Sequence, residues 1–126
     1  FRKIMNQKIM PFICIAMTVL CTVYGQLITK WRVNALGQTS SPLLSYYKIL
    51  FFDPLFLSGL VAVIPAGFCW IYAIRHIQLS VAYPFIGLTF ALVLLGSAVL
   101  LREPVTIAKI AGTLLIIAGI SIIAIK

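Results

Sequence analysis

Twenty-three consecutive residues without a charge, Leu79 to Leu101 (LSVAYPFIGLTFALVLLGSAVLL), constrain this chain more than any other stretch. As a helix at about 1.5 Å per residue they reach roughly 34 Å, about the thickness of a bilayer's hydrocarbon core. The run therefore reads as a membrane span, bounded by Arg75 and His76 on one side and by Arg102, Glu103 and Pro104 on the other. Other apolar runs repeat the pattern, and spans are expected over about 9–31, 54–75, 79–101 and 104–125. With 63% hydrophobic and only 10% charged residues in 126, the chain carries more apolar surface than a soluble globule of its size can hide. Four spans of ~20 residues fill its length. The expected architecture is an all-α membrane protein: one domain over 1–126, a four-transmembrane-helix bundle. Such a bundle is thin, and a dimer is expected.

The formal net charge of +8 does not point to nucleic acid, because the ten Lys and Arg sit at span edges, where lipid phosphates meet them. Positive-inside counting gives a tie. Arg2, Lys3, Lys8, Arg75 and Lys126 collect on one side, Lys30, Arg32, Lys48, Arg102 and Lys109 on the other, so insertion both ways round and antiparallel dimers are allowed. Cys14, Cys21 and Cys69 all fall in apolar runs, and without a C-x-x-C pair they support neither a disulfide framework nor a zinc site. The first apolar run lacks an A-x-A-like cleavage site and is long enough to span, so it is not read as a signal peptide. The sequence begins at Phe1 rather than Met, and a trimmed or altered N-terminus is expected.

The only long connection runs from Arg32 to Asp53. Ser41 and Pro42 look like an N-cap and N1 pair. The following LLSYYKILFF puts Leu43, Leu44, Tyr47, Leu50 and Phe51 on one side of a helix of roughly 16 Å, too short to cross. A short interfacial helix is expected over about 42–52, between spans 1 and 2. Asp53 and Pro54 repeat the cap signature at the start of the second span. Pro65 and Pro84 each remove a backbone donor, freeing the carbonyls of Val61 and Ser80, and a mid-membrane kink is expected at Pro65. Tyr83, beside Pro84, is expected to point inward. In the fourth span Ala108, Ala111, Gly112, Ala118, Gly119 and Ser121 give a small-residue face that admits another helix, expected to serve self-association.

No hydrolytic, redox or metal constellation appears, and neither a catalytic residue nor a cofactor is expected. His76 has no carboxylate near it in sequence and reads as interfacial. The two acids, Asp53 and Glu103, stand at expected helix starts, where a carboxylate meets the positive end of the dipole. For Glu103, pairing with Arg102 or contact with a polar ligand group stays open beside capping. No span contains an acid, and proton-coupled export of organic cations needs a membrane-embedded carboxylate. The spans hold amide, hydroxyl and cationic groups instead: Gln26, Thr29, Lys30 and Tyr83, with Arg32, Arg75 and Arg102 at the rims. Gln26 and Lys30 share one helix face. Lys30 can also snorkel to the interface, and Gln26 can serve an interhelical hydrogen bond. As a set, these groups suit an anionic, hydroxyl-rich ligand such as a phosphate carrying a sugar.

Gly25-Gln26-Leu27 with Lys30, Phe68-Cys69-Trp70, Leu79-Ser80, Ala82-Tyr83-Pro84 and Glu103-Pro104-Val105 follow one another in an order and spacing that resembles the small four-helix drug/metabolite transporters, of the EamA and small multidrug resistance kind. Within that superfamily the chain is similar to the paired subunits that flip 4-amino-4-deoxy-L-arabinose-phospho-undecaprenol. The resemblance implies a flippase for a polyprenyl-phosphate-linked sugar in a bacterial inner membrane, serving lipid A or another envelope glycan. The expected substrate-binding set is Gln26, Lys30, Arg32, Trp70, Arg75, Tyr83 and Glu103, with Lys30 and Arg32 or Arg75 to neutralise phosphate and Gln26 and Tyr83 to hydrogen-bond the sugar. The resemblance also implies a homodimer or a heterodimer with a similar small subunit, membrane lipids and the lipid-linked sugar as partners, and no nucleic acid. The chain mixes features of both subunit types. Small multidrug exporters share its helix count, but their first-span glutamate has no counterpart here, where the nearest polar residue is Gln26. The rival expectations are an exporter of organic cations and a non-transporting subunit of a membrane glycosyltransferase complex.

Overall fold

A computed structural model describes residues 2–37 and 42–125. Every regular element among them is helical: α1 (Arg2–Leu36), α2 (Leu43–Phe51), α3 (Pro54–His76), α4 (Leu79–Leu100) and α5 (Ile107–Ile125). The four longer helices are each long and apolar enough to cross a membrane. The protein is a multi-pass membrane protein with spans close to those expected, and three boundaries differ for local reasons.

Helix α1 begins at Arg2 rather than near Ile9 and runs through Pro11. Its first nine residues are exposed, and with Arg2, Lys3, Asn6, Gln7 and Lys8 among them the extension is a polar, surface-facing lead-in rather than added core. It stops beyond Trp31, at Gly37, whose φ of 67° lets its N–H reach back to the Asn34 carbonyl at 3.3 Å; glycine alone enters that conformation freely. Helix α2 starts one residue after the expected N1 proline, with Pro42 in the cap position and its carbonyl accepting from the N–H groups of Ser45 and Tyr46. Ser41 lies outside the described residues.

The third difference is at α5. Expected at Pro104, it starts at Ile107, because Thr106 is the residue that caps it: the Thr106 carbonyl accepts from Lys109 and Ile110, and its hydroxyl oxygen also takes the Lys109 N–H. Pro104 biases Glu103 away from helical backbone, and Arg102 adopts φ 53°. Glu103 therefore caps nothing. Asp53, by contrast, caps α3 as expected, accepting the Leu55 N–H at 3.0 Å with Pro54 at N1. Helices α3 and α4 run uninterrupted through Pro65 and Pro84.

The helices pack in the order α3–α1–α4–α5: α1 lies between α3 and α4, α3 and α4 barely touch, and α5 packs on α4 alone. The α1–α3 seam is the tightest. A Cβ on Gly25 would stand 3.2 Å from the Gly59 carbonyl oxygen, and one on Gly59 would stand 2.6 Å from the Ile28 side chain, so the two backbones meet directly, as small residues permit in lipid. Polar links reinforce the seam. The Thr18 hydroxyl points at the carbonyls of Cys14 (2.9 Å) and Ala66 (3.2 Å), and Tyr24 donates to the Ser58 hydroxyl, which itself donates to Leu55. The buried cluster of Ile15, Val19, Ala73 and Ala82, with Trp70, Val23 and Cys14 against it, closes the end where α3 turns into α4.

Candidate functional site

The opposite end is open. Where the C-terminal half of α1 faces its neighbours, three cavities share Gln26. One of about 260 Å³ lies between α1 and α4, lined by Thr18, Thr22, Gln26 and Phe90 among others. One of about 510 Å³ follows the α1–α3 groove past Gly25, Thr29, Lys30 and Gly59. The third, about 530 Å³, is bounded by α1, α4 and α5, and collects Gln26, Lys30, Ser97, Glu103, Lys109 and Thr113 on walls that are otherwise apolar. Each of the two larger cavities falls within the roughly 300–1,000 Å³ of ordinary ligand sites.

Sequence spacing explains why Gln26 and Lys30 appear together: one helical turn apart, they stand one above the other on α1. Both are exposed in the single chain, and both face the cavities. The turn after α4 brings in Glu103. The N–H groups of Leu101 and Glu103 both donate to the Ser97 carbonyl at 3.1 Å, and with Arg102 left-handed this hooks the chain back so that Glu103, half-buried, lines the third cavity. Lys109 lies across from it, its Nζ donating to the Pro104 carbonyl at 2.8 Å. Lys109, Ser97 and Thr113 were not among the expected site residues. The signal available was a lysine in the first turn of an apolar helix with Thr113 four residues on, on the same face.

The other expected site residues lie elsewhere. Arg32 forms an ion pair with Asp53, the only one among the described residues. Burial pushes the Asp53 carboxyl up, but the Arg32 guanidinium and the Leu55 N–H outweigh it and hold the group below the usual carboxylate range. The guanidinium thereby ties the end of α1 to the start of α3, and its charge is already engaged. Trp70 is packed against the closed core. Tyr83 does not point inward: it is 48% exposed, and its ring meets Trp70 edge-on at 6.1 Å, because the inward position next to it belongs to Ala82, which is fully buried. Arg75 is exposed near the same end. The seven expected residues thus divide. Gln26, Lys30 and Glu103 share one cavity; Arg32 is salt-bridged nearby; Trp70, Arg75 and Tyr83 belong to the opposite end.

Among the described residues no group of three or more His, Cys, Asp or Glu comes together that could hold a metal. What the open end can do chemically is bind: it offers an amide, two ammonium groups, one carboxylate and hydroxyls, set among helices that contain no acid of their own.

A four-span architecture with polar groups gathered beside a shared inner groove is what a small transporter requires, and the model of the EamA-like transporter family matches residues 2–125. The chain belongs to the EamA-like transporter family. Curated relatives agree. The chain is 33% identical over 116 residues (82% of this chain, 80% of the relative) to a Shewanella sediminis protein named "probable 4-amino-4-deoxy-L-arabinose-phosphoundecaprenol flippase subunit ArnF". It is 36% identical over 119 residues (86% and 88%) to the protein of that name from Yersinia enterocolitica. It is 31% identical over 111 residues (84% and 90%) to a Pseudomonas aeruginosa protein named as the ArnE subunit. No solved structure matches the chain.

Proposed function

We propose that this EamA-like transporter is a flippase subunit that moves a polyprenyl-phosphate-linked sugar, of the aminoarabinose-phospho-undecaprenol kind, across a bacterial inner membrane for envelope glycan or lipid A modification. The observation that carries the reading is the cavity of about 530 Å³ between α1, α4 and α5, where Gln26, Lys30, Glu103 and Lys109 converge inside a bundle whose relatives are named for that activity. A charged headgroup taken bare into hydrocarbon loses its hydration at a cost of many kcal/mol unless it is paired. Lys30 and Lys109 supply the pairing for phosphate, and Gln26 hydrogen-bonds the sugar, while the tail stays in lipid. Arg32 acts through the Asp53 pair as an anchor. Trp70, Tyr83 and Arg75 form the far lip of the route, and Pro65 and Pro84 give α3 and α4 the local freedom that alternating access needs. The apolar side chains of α2, of which only Leu50 is buried, rest at the membrane interface.

The working form is a dimer, with a second copy or a similar small subunit. The small residues of α5 support this: a Cβ on Gly112 or Gly119 would meet nothing within 4 Å, and no residue of α5 is buried. The decisive experiment is headgroup translocation in vesicles that carry a lipid-linked amino sugar. Gln26→Leu with Lys30→Leu abolishes flipping and leaves assembly intact; continued translocation by the double variant sinks the site assignment. Binding of a quaternary ammonium in place of lipid-linked sugar would favour the cation exporter.

A further inference from the structure

We propose that the cavity between α1, α4 and α5 is built for a zwitterionic headgroup, with Glu103 receiving an ammonium and Lys30 with Lys109 receiving the phosphate, so that a free amino sugar is selected over its N-acylated form. This rests on the flippase reading and adds to it the group on the sugar that is read.

The two carboxylates of this chain have different situations. Asp53 is spent on Arg32 and on the Leu55 N–H. Glu103 has no ion-pair partner among the described residues, caps no helix, and lines a cavity whose other charged walls are Lys30 and Lys109. Helix stability does not account for its position. Glu103 follows the C-terminus of α4, where the helix dipole already presents partial negative charge, and Lys109 lies in the first turn of α5, where the dipole is positive; both charges have the sign that the helix ends disfavour. The backbone is also committed to the arrangement. Arg102 holds φ 53° just past the α4 C-cap, a left-handed helix ending, and the Ser97 carbonyl accepts the Glu103 N–H, so the way α4 ends fixes where Glu103 stands.

A carboxylate and two ammonium groups around one cavity specify a ligand of mixed sign. An anion alone leaves Glu103 facing phosphate without a partner; a cation alone faces two lysines. A headgroup with a phosphodiester and a protonated amine pairs all of them, with the amine drawn to the α4 end by both Glu103 and the terminal carbonyls. Acylation of the amine removes its charge and leaves Glu103 unpaired, and an unpaired polar group in a site is the strongest basis for rejecting a close analogue.

The test uses the full chain in the oligomeric form in which it is extracted, in lipid nanodiscs, with two probes: a short-chain polyprenyl phosphate carrying a 4-amino-4-deoxypentose, and the same molecule N-acetylated. The wild-type protein should bind the amino probe at least about tenfold more tightly, the factor that 1.4 kcal/mol gives. Glu103→Gln should lower affinity for the amino probe to that of the N-acetyl probe, whose own binding stays unchanged and reports an intact fold. Glu103→Asp should keep part of the preference. Equal wild-type affinity for the two probes, or an equal loss of both in Glu103→Gln, overturns the selectivity while leaving the flippase reading in place. Failure of the wild-type protein to bind either probe overturns the flippase reading and this one with it.

Discussion

The two ends of the helix layer are made of similar residues and do opposite things. Where α3 turns into α4, Ile15 is 1% exposed and Ala73 and Ala82 are fully buried, and aromatic Trp70 and Tyr83 close over them edge to face. At the other end α1 is flanked by cavities, and the polar side chains of Gln26, Lys30, Glu103 and Lys109 take the place of that packing. Connection length contributes to the difference. His76 to Leu79 is a turn so short that the ends of α3 and α4 it joins stay together, whereas the α4–α5 link is non-helical from Leu101 to Thr106 and places Glu103 at the cavity while α5 packs on α4. The closed end fixes the layer, and the open end is left to bind.

The largest expected effect breaks the closed end. Ile15→Ala should destabilise the protein by about 2–5 kcal/mol through the cavity it leaves, read as a lowered Tm in detergent, while the polar cavities at the far end keep their ligand preference in the fraction that stays folded. A loss confined to binding, with Tm unchanged, would mean that the ends are not separate.

Next in size is the seam that joins them. Gly25→Val forces branched carbons against the Gly59 carbonyl and should cost about 1–3 kcal/mol as overpacking, with the α1–α3 links at Thr18 and Tyr24 weakened together. Retention of wild-type Tm would show that the backbones are not in contact there.

A smaller effect comes from the Arg32–Asp53 pair, and its sign follows from the lowered carboxyl. A group whose folded pKa lies below its unfolded value stabilises at pH above the unfolded value, about 3.9 for Asp, and that stabilisation is lost as pH falls through the folded value. The Tm gap between wild type and Asp53→Asn should therefore be open at neutral pH and close in acid, below about pH 4. A gap that is independent of pH would assign Asp53 only its uncharged capping role.

The smallest is Tyr83→Phe. The ring contact with Trp70 persists without the hydroxyl, so stability should change by no more than about 0.5 kcal/mol, as for exposed substitutions in general, and translocation should remain near wild type. A large transport loss with unchanged Tm would show that the Tyr83 hydroxyl itself meets the headgroup at the far lip of the route.

Much of this was written in the sequence. Hydrophobic run length sets four spans because a helix in lipid satisfies its own backbone and needs little else to be specified. The Asp53-Pro54 start of α3 is a local signature and was legible for the same reason. Gln26 with Lys30 was legible as well, since helical periodicity alone puts them on one face. The order α3–α1–α4–α5 was not, nor was the division of the expected site residues between two ends. Tyr83 turns away because the fully buried Ala82 beside it holds the packed position, and Arg32 is engaged because the chain folds Asp53 back to it across 21 residues. Glu103 and Lys109 share a cavity because Arg102 turns the chain between α4 and α5 and Thr106 delays the next helix. Composition and period act along the chain and fix which segments cross; which charges meet depends on helix neighbours and on one left-handed residue in a link, and those are settled only when the helices pack.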